Sequence, residues 1–482
     1  MTVTLSARRL ADLLGPLDGV GPAYREIADR VRLLVLDGRV ADGSRLPSER
    51  ELATTLGVSR TTTTRVYTEL RESGILQSRQ GSGSLVRVPR GVSSASSLIV
   101  LPDEAGTIAM TYAAPAGPPG LARAFEAAAA KLPGLLATTG YLPDGLPVLR
   151  DVLAQRYTDG GLPTSPDQII VTSGAMGAIS LLARSLITRG ERVVVEGLSY
   201  PHAHDSFAAA GARLSHLPVD RSPWSPAALS ATLAGSAHRA AYFIPDFHNP
   251  TAAIMSDDER STWARELRRH DVVPIVDESL REINLDGVDL PPMFAAYDAR
   301  AVMIGSSSKA YWGGLRVGWI RAPRAAVMPL VQARMMDDLG TSAFDQLVVA
   351  ELLTEGGQTA AAGRARSRAA RDHLLAELAR ELPDVHAPCP PGGLSLWVTL
   401  PERMSSRLTS AASRHGLLLT PGPRFFSSAG AAGERHLRLP YNQSHEVLTE
   451  AVARLRLAYD EVLGTAEPAP TPRATSTLEM IA

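Results

Sequence analysis

Two lysines, Lys131 and Lys309, stand against 47 arginines in this chain of 482 residues. Arginine serves here wherever a plain positive charge is enough. A retained lysine therefore points to work that a guanidinium cannot do: losing a proton and adding to a carbonyl as a free amine. Lys131 follows an alanine-rich helical run at 122–130 and precedes Leu132-Pro133-Gly134, the surroundings of a solvated helix end. Lys309 lies in "SSSKAYWGGLRVG" (306–318), between the hydroxyls of Ser306 and Ser308 and an arginine, Arg316, able to grip an anion through two parallel hydrogen bonds.

The other parts of a ligand site lie along the same half of the chain. "TSGA" (172–175) follows an apolar run at 168–171 and opens a helix from about residue 176. The backbone of Ser173, Gly174 and Ala175 at such a helix start can cradle a phosphate. Tyr200, in "EGLSYP", offers a ring to stack on a heterocycle, although a tyrosine alone is more often core. Asn249, in "HNPT", offers an amide to a ring hydroxyl, or is a turn residue before proline. Asp277 ends the apolar run 273–276. A carboxylate at the C-terminal end of a buried parallel strand faces the ligand crevice of an open α/β sheet, where it can balance a protonated ring nitrogen. An amine, phosphate anchors and an acid for a pyridine nitrogen are the requirements of pyridoxal 5'-phosphate. On this reading Lys309 and Asp277 carry the chemistry, and Asn249, Tyr200, Ser173, Gly174, Ala175, Ser306, Ser308 and Arg316 complete the cofactor site. The one cysteine, Cys389 in "HAPCPP", excludes an intrachain disulfide and any multi-cysteine zinc motif.

A second constellation precedes this one. Residues 1–90 carry 14 Arg against 10 Asp plus Glu, so this segment is +4 while the whole chain is −1. Such a basic start fits a nucleic-acid partner. Tyr24, Ile27, Ala28, Val31 and Leu34 recur at helical spacing. Ser48-Glu49-Arg50-Glu51 forms a capping box for a second helix that buries Leu52, Ala53 and Leu56 and ends at Gly57. Ser59 caps a third helix with an apolar face of Val66, Tyr67 and Leu70. Its start presents Arg60, Thr61, Thr62 and Thr64, types suited to guanine edges, thymine methyls and phosphates. Residues 75–88 read as a hairpin, with glycines at its tip allowing close backbone approach to DNA.

The elements that must position these residues fall into four regions: a winged helix-turn-helix at 20–90, a serine-rich linker at 91–107, a body at 108–464 and a disordered Ala/Pro/Thr-rich tail at 465–482. Helical stretches alternate with short β-rich runs in the body, which argues for an α/β fold around a mostly parallel sheet. No stretch is apolar enough to span a membrane and residues 1–10 contain no apolar signal core, so the expectation is a cytoplasmic protein.

Two resemblances follow from these strings. "LPSERELATTLGVSRTTTTRVYTELRESGILQSRQGSGSLV" resembles the GntR-type winged helix, which implies DNA contacts by Arg50, Arg60 and Gly81; the four-threonine run departs from the usual alternation with valine. "TSGA", "HNPT", "VDE" and "SSSKAYWGGLRVG" together resemble fold-type I, aspartate-aminotransferase-like enzymes over about residues 108–460. That likeness implies that Tyr141, in "YLPDGLPVLR", reaches the phosphate of a partner subunit. It also implies that Arg438, in "LRLPYN", holds a substrate α-carboxylate. The expected fold is thus an α+β winged helix-turn-helix domain followed by an α/β fold-type I domain dependent on pyridoxal 5'-phosphate. The order of parts resembles the MocR type of GntR regulators. This implies double-stranded DNA as a partner, with pyridoxal 5'-phosphate or its adduct with an amine as effector. It also implies control of vitamin B6 or amino-acid genes, and a head-to-tail homodimer whose heads cross onto the partner body. Two departures bear on turnover. Leu280 stands where the family has a tyrosine that shares the ring-hydroxyl contact, and Ala252 stands where it has glycine. They favour a sensor over a turnover enzyme. The alternatives are an aminotransferase with an accessory DNA-binding module, and a DNA-binding protein whose body serves only to dimerise.

Overall fold

The structure, a computed structural model, describes residues 4–15, 17, 22–36, 40, 43–72, 75–79, 83–86, 106–219, 223–427 and 431–464. Gly81, most of the expected linker and the tail at 465–482 lie outside the described residues.

Local signals set up the head. Ser48 Oγ accepts from Glu51 N at 3.2 Å while Glu51 Oε2 accepts from Ser48 N at 2.9 Å, which starts the helix Glu49–Leu56. Gly57 closes it at φ 67°, and Ser59 Oγ then accepts from Thr62 N at 3.0 Å at the start of Arg60–Glu72. The helix Ala23–Leu36 packs on Arg60–Glu72, and all three helices share a core of Ile27, Val31, Leu52, Val66 and Leu70. The strands Leu76–Arg79 and Gly83–Val86 pair antiparallel behind it. The head also extends upstream of residue 20, where the sequence reading started it. A helix Ala7–Leu14, capped by Ser6, sends Leu10 and Leu14 into the same core. Eight residues show too few turns for their periodicity to stand out.

The body holds a seven-stranded sheet in the order Ile169–Thr172, Gly318–Arg321, Val302–Ser306, Val273–Asp277, Ala240–Phe243, Arg192–Val195, Arg213–His216. Every neighbouring pair is parallel except that Gly318–Arg321 runs antiparallel to both its neighbours. Successive residues face different cores: Val194, Ala241, Val276 and Met303 enter one, and Val193, Ala240, Ile275 and Ile304 enter the other. Burial on both faces explains why these strands read as unbroken apolar runs rather than alternating ones. A smaller lobe carries a four-stranded sheet in the order Ser395–Thr399, His436–Pro440, Leu417–Pro421, Ile108–Met110. Ile108–Met110 runs parallel to Leu417–Pro421, so the chain leaves the linker as an edge strand of the small lobe.

Within the chain the head rests on the small lobe. Its helix Ala23–Leu36 lies against Ser405–Arg414. Arg32 Nη1 donates to Asp29 Oδ1 at 2.7 Å and to Ser410 Oγ at 2.9 Å, and Ser410 Oγ donates to Asp29 Oδ1 at 2.9 Å. The small Ser410 side chain lets the helices approach closely, and this polar triad matches them without a buried charge left alone.

Candidate functional site

The strand Val302–Ser306 runs directly into the short helix Ser307–Ala310. Ser306 Oγ accepts from Ser308 N at 3.2 Å, and Ser307 Oγ donates to Val317 O at 2.7 Å, which fixes the turn. The Lys309 side chain enters a cleft where its Nζ donates to Ala113 O at 2.7 Å. Burial, then the charge of Arg438, brings the amine down to about 8, with Asp277 opposing. Neutral amine, the form that attacks a carbonyl, is thereby available near physiological pH. Asp277 closes the strand Val273–Asp277 and is buried. Its Oδ1 accepts from Ser279 N at 2.9 Å and its Oδ2 from Tyr242 Oη at 2.8 Å. Burial raises this carboxyl, while the hydrogen bonds from Ser279 and Tyr242 and the charge of Lys309 hold it back. A cation at a ring nitrogen would restore its charged form.

The two turns expected to bind phosphate meet at one end of the sheet because of the antiparallel strand. Gly318 pairs with Thr172 on one side and with Ser306 on the other, which brings the "TSGA" and "SSSK" turns together. Gly174, at the start of Gly174–Leu186, has φ 79°, and a Cβ there would lie 2.6 Å from Arg316 Nη2. Only glycine fits. Arg316 donates to Ser173 O at 3.0 Å, so its guanidinium stands over the helix start. Ser308 Oγ is buried without a hydrogen-bond partner. A helix N-terminus, a guanidinium and an unsatisfied hydroxyl together fit a phosphate. The residues of this site thus fit pyridoxal 5'-phosphate.

Tyr200, Asn249, Lys309 and Arg438 line one cleft, together with Thr111, Leu280 and Phe425. Arg438 is buried; its Nη2 donates to Thr111 O at 2.5 Å and its Nη1 to Asn249 Oδ1 at 3.5 Å. Its guanidinium sits 4.8 Å from the ring centre of Phe425, and its Nε has no partner. Burial brings it down to about 10, still charged at neutral pH. Ala252 holds φ 56°, the left-handed backbone for which the resemblance has glycine, so the turn is kept despite the substitution. Leu280 brings no hydroxyl to the cleft wall. Tyr141 is the expected site residue that the chain does not bring there. It is 66% exposed, beside Leu142, whose N donates to Leu339 O at 3.0 Å.

Two polar residues that support the site escaped the sequence reading. Tyr242 sits inside an apolar strand and looks like core. Glu196 directly follows another such strand, Arg192–Val195; its oxygens accept from Trp224 Nε1 at 2.6 Å, Ser199 Oγ at 2.6 Å and Ile244 N at 3.0 Å, and approach His248 Nε2 at 3.4 Å. Burial alone would raise the Glu196 carboxyl; His248 and these donors hold it below the usual range. This buried carboxylate ties the turn before Tyr200 to the turn bearing Asn249.

On the head, Arg50, Arg60 and Thr61 are exposed. The threonine run divides by role: Thr62 Oγ1 lies 2.8 Å from Ser59 Oγ at the cap, Thr63 is buried, and Thr64 Oγ1 donates to Glu49 Oε2 at 2.7 Å. Thr62 and Thr64 therefore have hydroxyl partners within the head.

Residues 23–86 match the model for bacterial regulatory proteins of the gntR family, and residues 123–455 match that for aminotransferase class I and II. The chain belongs to the aminotransferase class I and II family, with a GntR head in the MocR-type arrangement. It is 27% identical over 472 residues to the uncharacterized HTH-type transcriptional regulator YdfD of Bacillus subtilis, covering 92% of this chain and 97% of that one. It is 27% identical over 340 residues to the probable rhizopine catabolism regulatory protein MocR of Rhizobium meliloti, covering 63% and 66%. Among solved structures it resembles LysN, the α-aminoadipate aminotransferase of Thermus thermophilus complexed with N-(5'-phosphopyridoxyl)-L-leucine. That likeness has a TM-score of 0.68 at 28% identity and covers 83% of this chain and 100% of LysN. This MocR-type chain is thus a transcription regulator with an aminotransferase-like body of a pyridoxal phosphate-dependent fold. Among the described residues no helix is long and apolar enough to cross a membrane.

Proposed function

We propose that this regulator holds pyridoxal 5'-phosphate on Lys309 and changes its affinity for DNA when the cofactor, or the cofactor with a bound primary amine, occupies the body. The bound cofactor supplies an aldehyde carbon that condenses with amines and a ring that draws electrons from them. Lys309 contributes the neutral amine, Asp277 the counter-charge for the ring nitrogen, and Asn249 and Tyr200 the flanking contacts. Ser173, Gly174, Ala175, Ser306, Ser308 and Arg316 hold the phosphate, and Arg438 receives a carboxylate. In the head, Arg60 and Thr61 read bases while Arg50 holds a phosphate.

One observation carries the sensing step. The helix Ser405–Arg414, which bears the head through Ser410, is tied at its start to the wall of the cleft. Ser405 Oγ accepts from Gly422 N at 2.9 Å, and the segment Gly422–Phe425 carries the ring on which Arg438 stacks. A ligand that repositions Arg438 thus acts on a piece of protein continuous with the seat of the DNA head. It shifts the regulator only by the difference in its affinity for the two arrangements. A homodimer completes the reading. Tyr141 is exposed beside Leu339, also exposed, and so is the nearby Met336, an apolar surface suited to a second copy.

Turnover separates this reading from the enzyme one. Leu280 offers no hydroxyl at the cleft wall to balance the proton on the ring oxygen. With an added amino acid, keto acid should not exceed about one equivalent per subunit. Accumulation over many cycles would establish an aminotransferase instead.

A further inference from the structure

We infer that Arg424 forms a second acid-binding subsite in the cleft, so that the amine recognised here is an amino acid with a second carboxylate on its side chain. The inference rests on the reading above, that a primary amine enters beside Lys309.

The charge of the cleft motivates it. Its lining includes Lys309, Arg438, Arg424 and His202 and no aspartate or glutamate. Lys309 is engaged with the cofactor and Arg438 with one carboxylate. Burial, and then the charge of Arg424, hold His202 below its ordinary range, so it adds no lasting charge at neutral pH. One permanent cation is left over.

That cation is fixed in place. Arg424 follows the strand Leu417–Pro421 in a segment whose Gly422 has no room for a side chain: a Cβ there would lie 2.2 Å from His436 O. The neighbouring Phe425 is the ring under Arg438, so the same short segment braces one guanidinium and presents the other. Arg424 Nη2 meets Asp205 Oδ2 at 2.8 Å, but the Asp205 side chain is 58% exposed and solvent screens that pair. Arg424 Nε is buried and has no acceptor. Arg438 Nε is in the same state, in the same cleft. Two buried guanidinium N–H groups without acceptors are the complement of a ligand with two acids. A buried donor left unpaired disfavours the empty state and the wrong ligand alike.

The test uses amino acids alike in shape and unlike in charge. The full chain loaded with pyridoxal 5'-phosphate is titrated with L-aspartate, L-glutamate, L-asparagine and L-glutamine while its visible absorbance is followed. At least one acid should bind about tenfold to a hundredfold more tightly than its own amide. The acid-to-amide ratio should fall close to one in Arg424→Gln and be partly kept in Arg424→Lys. A ratio taken within one protein is insensitive to a general loss of affinity. Equal binding of acids and amides by the parent protein, or a preference that survives in Arg424→Gln, overturns the subsite and leaves amine recognition standing. If none of the four changes the absorbance of the loaded protein, recognition of such amines fails, and the subsite with it.

Discussion

In the head, the proposed DNA-contacting residues Arg50 and Arg60 stand in solvent on two short helices whose caps, Ser48 and Ser59, lie a few residues away in the chain, over a core shared with the helices Ala7–Leu14 and Ala23–Leu36. In the body, Asp277 and Arg438 are buried and Lys309 partly so, and eight separate segments between Thr111 and Arg438 bring the cleft together. The difference is one of electrostatic environment. Arg50 and Arg60 stand in water, where charge interactions are screened by salt. Lys309, Asp277 and Arg438 sit where burial is the largest influence on each. Lys309 also responds to the charges of Arg438 and Asp277, and Asp277 to that of Lys309. A surface reader can drift in sequence without losing its fold, whereas a buried reader ties ligand, protonation and packing together.

The sharpest break in this comparison is Lys309→Ala. Loss of the amine should remove the borohydride-reducible visible band of the purified protein completely while leaving specific DNA binding by the cofactor-free protein in place. A band that survives reduction trials in the variant would place the covalent site elsewhere.

Next in size is the pH dependence of cofactor loading. Attack needs neutral amine, and the Lys309 amine lies at about 8. The loading rate of the cofactor-free protein should fall about tenfold per pH unit below that value and level off above it. The sign for stability agrees. The amine loses its proton earlier in the folded state than in the unfolded chain, so burying it costs most at low pH. The folded state then gains as pH rises from about 8 toward the ordinary lysine range. A flat loading profile would mean that the amine is not buried as the cleft requires.

Smaller effects belong to the head. Arg60→Ala should weaken binding to the specific site by roughly 1–3 kcal/mol, as a lost base contact does. Arg50→Ala should weaken all sequences alike and lower the salt slope by about one. Footprinting and salt titration check both, and an unchanged footprint in the double variant would remove these residues from the interface.

Legibility in the sequence follows the same division. The head is written in local signals: the Ser48–Glu51 box, Gly57 at a positive φ and Ser59 at the next cap are each visible within a few residues. The body's strands were legible because burial on both faces leaves apolar runs; Asp277 stood out at the end of one of them, and Lys309 as one of only two lysines. Tyr242 and Glu196 were not legible, because a polar side chain inside an apolar run or just past its end shows its role only when its partner, distant in sequence, is placed beside it. The helix Ala7–Leu14 was too short to show a period. The seat of the head on Ser410 depends on two residues about 380 positions apart, Asp29 and Ser410, and no local pattern announces it.

The central claim is that occupancy at Lys309 alters the DNA-bound state of the head. The most direct measurement is the affinity of the full chain for its operator in three forms: free of cofactor, loaded with pyridoxal 5'-phosphate, and loaded then treated with a primary amine. Each is repeated in Ser410→Val, which removes the hydroxyl between Asp29 and Arg32. The account predicts that at least two of the three forms differ by about 5–150-fold, the range of ordinary allosteric coupling. It also predicts that the difference shrinks in Ser410→Val. Equal affinities in all three forms of the parent protein would contradict it.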